Sequence, residues 1–119
     1  MANFYDDVNK LAEDLKQTPE YQALEKAIDE VKNSPENLKL YQRMDALQRK
    51  IMAARQAGQP MTDEMKKEYE EVNKAVSDSD LLKKMINEEQ KLYKIIGDIQ
   101  QAVTKSVGEL YEELSENKK

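Results

Sequence analysis

The chain has no cysteine, no histidine and no tryptophan among its 119 residues, and only three glycines, three prolines and one phenylalanine. The first two absences remove much of side-chain chemistry. Without thiols there are no disulfides, thiolate nucleophiles or thiolate metal ligands. Without imidazole there is no Ser-His or Cys-His relay, no imidazole ligand for haem and no structural zinc set. The Glu-x-x-His pairs of di-iron bundles cannot be built either. Catalysis would have to rest on Asp, Glu, Lys, Tyr or Ser alone, so the expectation is a non-enzymatic protein with no cofactor, no metal and no small-molecule substrate. No apolar run is long enough to cross a bilayer, and the start Met1-Ala2-Asn3-Phe4-Tyr5-Asp6-Asp7 has neither region of a signal peptide. A cytoplasmic protein without membrane contact is expected.

What the sequence does have is charge and a regular apolar pattern. Charged residues make up 36% and hydrophobic residues 39%, and the scarcity of Gly and Pro leaves long uninterrupted stretches. That balance belongs to a helix-rich protein and is too apolar for a disordered acidic chain. Twenty-four acids against nineteen bases give a net charge of −5, which argues against general nucleic-acid binding. The average conceals one basic segment. Residues 35–57 carry five cations against two carboxylates, a net +3, and hold all three arginines. Residues 58–80 follow with seven acids against three lysines.

Boundaries are legible. The first helix is expected from Asn3 as cap to about Gln17, with Phe4, Val8, Leu11 and Leu15 in a 4-3-4 stripe. Thr18-Pro19-Glu20 and Ser34-Pro35-Glu36 each end one helix and start the next. Proline disfavours helical geometry in the residue before it and suits the first helical position, where Ser or Thr can cap. The second helix should run from Pro19 to about Lys32 and the third from Pro35 to about Ala57. Gly58-Gln59-Pro60 forms a loop, and Thr62 caps a fourth helix carrying Met65, Tyr69, Val72 and Val76. Ser77-Asp78-Ser79-Asp80 lacks the glycine a calcium loop needs at its sixth position and is expected to cap the last helix.

The remainder predicts one long helix over about 79–115, with Leu82, Met85, Leu92, Ile96, Ile99, Val103, Leu110 and Leu114 returning to one face. At 1.5 Å per residue it would be roughly 50 Å long, against a radius of gyration near 13–14 Å for a compact domain of this size. The predicted architecture is all-α: about five helices, four shorter amphipathic ones packed along the long C-terminal helix, in a single domain over 1–119 with a frayed tail at about 115–119. Coverage of the long stripe should be incomplete, leaving Leu92, Ile96, Ile99 and Val103 for a second copy, so a homodimer is expected. Gly97 could admit a close helix approach. Glu89 falls on the seam and should meet Arg43, Arg49 or Arg55, reach solvent or face a partner. On the third helix Lys39, Arg43 and Lys50 share a face, with Arg49 and Arg55 elsewhere around it. These five residues form either a solvated, ion-paired face or a docking patch for an acidic protein, with RNA as the alternative partner.

The order of several short segments is similar to a known family. Asn3-Phe4-Tyr5-Asp6, then Tyr41-Gln42-Arg43-Met44 through Gln48 to Ala57-Gly58-Gln59-Pro60-Met61-Thr62, then Glu88-Glu89-Gln90-Lys91-Leu92 through Ile99 to Glu109-Leu110-Tyr111 resemble the YheA-like UPF0342 family. That family sits within the YlbF/YmcA group of small helical regulatory proteins of Firmicutes. The resemblance implies an all-α, self-associating protein without enzymatic activity or cofactor. Its YlbF and YmcA relatives regulate competence, biofilm formation and sporulation within a complex that adjusts mRNA processing. One departure is local: Val107-Gly108 stands where the family has Pro-Leu, which leaves open the path of the last two turns. The expected function is an adaptor or regulator acting through protein contacts, the alternative an RNA-binding accessory protein using the basic third helix.

Overall fold

In the computed structural model, which describes residues 3–116, the chain forms five helices and no strand among the described residues. They are α1 (Phe4–Lys16), α2 (Pro19–Lys32), α3 (Pro35–Gln56), α4 (Asp63–Ser77) and α5 (Asp80–Glu116). The starts follow local chemistry. Asn3, Thr18, Ser34 and Thr62 are extended N-caps whose side chains accept from Tyr5, Tyr21, Asn37 and Met65 backbone N–H groups respectively, and Pro19 and Pro35 follow two of them. Ser79 does the same for α5, its Oγ accepting from Leu82 N at 3.1 Å. α3 stops at a Schellman turn. Gly58, at φ 70°, donates its N–H to Arg55 O, and Gln59 N reaches Ala54 O at 2.8 Å. α5 runs unbroken through Gly97 and Gly108, so Val107-Gly108 does not end it. Of the frayed tail expected at about 115–119, Ser115 and Glu116 are helical and the rest lies outside the described residues.

Packing is concentrated at one end of the long helix. Ala27 and Val31 near the close of α2 meet Leu82 and Met85 in the first turns of α5, with Leu24, Leu40, Tyr41, Val76 and Leu81 packed around them. Lys84 on α5 pairs with Glu30 on α2 at 3.4 Å. α2 and α5 are therefore antiparallel, and the start of α2 lies beside the middle of α5. Beyond this core α3 and α4 run together as a hairpin that buries Leu47 and Val72. α2, α3 and α4 all touch α5, as expected, but among the described residues α1 meets only α2.

The core is thin. Among the described residues the buried apolar side chains are Ala27, Val31, Leu47, Val72, Leu82, Met85 and Leu92. The radius of gyration is 20.0 Å, where a compact chain of this length has about 13–14 Å. The molecule measures 53 × 39 × 23 Å and exposes 9832 Å², against about 6,600 Å² for a compact monomer of its mass. Among the described residues no helix is long and apolar enough to cross a membrane.

Candidate interaction surfaces

The basic third helix has its strongest cation occupied. Arg43 donates from Nε to Glu68 Oε1 at 2.9 Å and from Nη2 to Glu71 Oε2 at 3.0 Å, tying α3 to α4. The hydrogen bond to Glu68, then that to Glu71, holds the guanidinium pKa above its ordinary value. Glu68 and Glu71 lie one turn apart on α4, so they form a fork that matches the guanidinium edge. Arg49 pairs within its own helix with Asp45 at 3.2 Å and is otherwise solvated. Lys39, Lys50 and Arg55 are exposed, and among the described residues none has a carboxylate within ion-pair distance. Of the five cations, Arg43 thus holds the α3–α4 hairpin together, Arg49 is paired locally, and three remain open. Arg55 lies beside exposed Met52 and Tyr69 near the hairpin tip.

The four residues expected to remain open on α5 fall into three groups. Leu92 is buried within its own chain, Ile96 and Ile99 are half-buried, and Val103 is 69% exposed. The uncovered stripe therefore starts later than expected and extends farther, through Val107, Leu110, Tyr111 and Leu114. Every described residue from Gln100 to Ser115 is exposed. The cause is length: antiparallel α2 is 14 residues long and α5 is 37, so the partner helix ends while α5 continues.

Gly97 does not admit a neighbour, since a Cβ placed there meets nothing within 4 Å. Glu89 reaches solvent, one of the outcomes expected for it, and takes none of the three arginines: Arg43 pairs with α4, Arg49 pairs within α3, and Arg55 has no carboxylate within ion-pair distance among the described residues. The half-buried acid is its neighbour Glu88, which pairs with Lys91 at 3.5 Å. Glu89 instead rims a groove formed by Ile28, Val31, Leu38, Tyr41 and Met85. At about 190 Å³ that groove is smaller than the roughly 300 Å³ of the smallest ordinary ligand pockets.

Two features were missed in the sequence. The first is a polar staple between helix starts: Ser79 Oγ donates to Asn37 Oδ1 at 2.6 Å, and Asn37 Nδ2 donates to Ser34 Oγ at 2.9 Å. Both serines were legible as caps, but Asn37 offered no signal beyond lying one turn into α3. The second is α1, which buries none of its residues. Phe4, Tyr5, Val8 and Leu11 are exposed, with the Phe4 and Tyr5 rings 4.4 Å apart. Its stripe was visible, but not that α5 would leave it uncovered.

Five helices, a thin core and a long, part-covered C-terminal helix define an open all-α scaffold. Residues 4–108 match the family described as "Control of competence regulator ComK, YlbF/YmcA", and the chain belongs to this family. A UPF0342 protein of Lactobacillus gasseri is 49% identical over 114 residues, spanning 96% of this chain and 97% of the relative. A UPF0342 protein of Lactobacillus helveticus is 42% identical over 96% of this chain and 98% of its own length. Among solved structures, a protein of unknown function (DUF964) from Bacillus stearothermophilus superposes with a TM-score of 0.79. It is 15% identical, with 90% of this chain and 94% of that one covered, a likeness of fold alone. The resemblance read from the ordered segments is thus borne out.

Proposed function

We propose that the protein is a non-enzymatic cytoplasmic adaptor that self-associates through α5 and binds an acidic protein partner through the open cations of α3. The observation that carries this reading is the uncovered apolar stripe of α5 beyond Ile99, which a soluble helix does not leave in water without a binding role. Membership of a family described by control of a competence regulator supports a regulatory task rather than a catalytic one. The absence of His and Cys from the sequence agrees with it. A role in competence, biofilm formation or control of mRNA processing follows by the same kinship.

The partner surface is assigned to Lys39, Lys50 and Arg55, because Arg43 and Arg49 already have carboxylates. The triple substitution Lys39→Glu, Lys50→Glu and Arg55→Glu leaves every ion pair described above intact. It should abolish recovery of the partner that the unaltered protein captures from its native host, while sedimentation is unchanged. Recovery of the same partner by the variant would remove α3 from the reading. Loss of a salt-sensitive RNA complex in the same variant, with no protein partner recovered, would replace the adaptor with an RNA-binding protein.

A further inference from the structure

Among the described residues, α1 and the distal half of α5 are the two elements whose apolar faces are left mostly uncovered. On α1, Phe4, Val8 and Leu11 are 63, 49 and 42% exposed, and Leu15 completes the stripe. On α5, Val103, Val107, Leu110 and Leu114 are between 52 and 69% exposed. Both stripes follow the same 4-3-4 spacing, and each spans eleven residue steps, or about 16 Å along a helix. An exposed tyrosine also stands on each element, Tyr5 next to Phe4 on α1 and Tyr111 next to Leu110 on α5. The two faces are matched in length and period, yet among the described residues α1 makes no contact with α5 of its own chain.

Topology says where the match can be made. Because α2 runs antiparallel to α5, its start, where α1 departs, lies beside the middle of α5, where the distal half begins. Both uncovered stripes therefore leave from the same end of the α2–α5 pair. A two-fold axis at that end would place α1 of each chain on distal α5 of the other, since an isologous interface satisfies both contacts with one operation. The area agrees. The chain exposes roughly 3,000 Å² more than a compact monomer of its mass, several times the ~800 Å² that each partner contributes to an interface of standard size.

We infer that two copies exchange these elements: Phe4, Val8, Leu11 and Leu15 of one chain seal Val103, Val107, Leu110 and Leu114 of the other, forming a shared four-helix bundle. This inference rests on the self-association proposed above and adds the role of α1. The substitutions Val8→Asp and Leu11→Asp together, and Leu110→Asp separately, lie at exposed positions and should preserve helicity by circular dichroism. Each should weaken self-association about 30-fold or more in sedimentation, the loss expected of a central apolar anchor. The cysteine-free chain permits a direct test of pairing. A Leu11→Cys chain mixed with a Leu110→Cys chain and treated with a short bis-maleimide should give a heterotypic two-chain product. The doubly substituted chain should give two-chain product in preference to an internally bridged monomer. Undiminished association of the Val8→Asp, Leu11→Asp variant, or bridging within one chain, overturns the exchange while leaving a dimer through α5 alone in place. A strictly monomeric unaltered protein overturns the self-association itself.

Discussion

Single residues divide sharply between those that hold the fold and those that decorate it. Leu82 is wholly buried at the meeting point of α2, α3, α4 and α5, and with a core this thin its methyl groups have few substitutes. Leu82→Ala should cost about 2–5 kcal/mol by urea unfolding, a large share of the roughly 5–15 kcal/mol that a domain of this kind possesses. Arg43 is the contrasting case. Its two carboxylates form the shortest ion pairs among the described residues, but the group stands in solvent, where attraction is offset by side-chain ordering and screened by salt. Arg43→Gln should therefore destabilise far less than Leu82→Ala. Its effect should shrink as salt rises from about 0.1 to 1 M, whereas that of Leu82→Ala should not. Equal salt dependence of the two variants would contradict this division. Arg43 was readable as a cation on a basic face. Its partners were not, because Glu68 and Glu71 lie 25 and 28 residues away.

At the scale of elements, the starts are over-determined and the long helix is not. Thr18 and Ser34 each cap a helix whose next residue is proline, so backbone geometry and hydrogen bonding agree on the boundary. α5 carries two glycines in its interior, and neither position has a neighbour that requires a missing side chain. Gly97→Ala and Gly108→Ala should each stabilise the helix by about 0.5–1 kcal/mol, read as a higher midpoint in thermal unfolding. A lower midpoint for Gly97→Ala would mean that another helix approaches there in the assembled protein. The sequence located every helix to within a residue or so because caps, prolines and the Gly58 turn act over four or five residues. It left Glu89 open between a cation, solvent and a partner, and the outcome is solvent, because helical periodicity places a residue on a face without saying how wide the covered part of that face is.

At the scale of the molecule, the accessible surface and radius of gyration describe a chain that has folded locally and only partly closed globally. Under the proposed self-association such a chain draws part of its stability from the second copy. The thermal midpoint should then rise with protein concentration, by mass action on the associated state, over a range from about 1 to 100 μM. A midpoint independent of concentration, with monomeric sedimentation, would mean that the thin core alone sustains the fold. Hydrogen exchange measured in parallel should show the slowest amides in α2 and the first half of α5, where burial is greatest, and faster exchange in α1 if dilution dissociates the assembly.

By itself the sequence determined an all-α chain, the limits of its five helices, the position of each apolar stripe and the absence of imidazole and thiol chemistry. These are consequences of residue type and of interactions a turn apart. Only the tertiary structure decided which stripes are covered. Leu92 lies under its own chain and Val103 does not, α1 rests on α2 and leaves α5 bare, and Arg43 binds α4 rather than Glu89. Amphipathicity states that a face must be removed from water. Which surface removes it depends on relative helix lengths and on the direction in which each helix departs, and those are settled only when the helices pack.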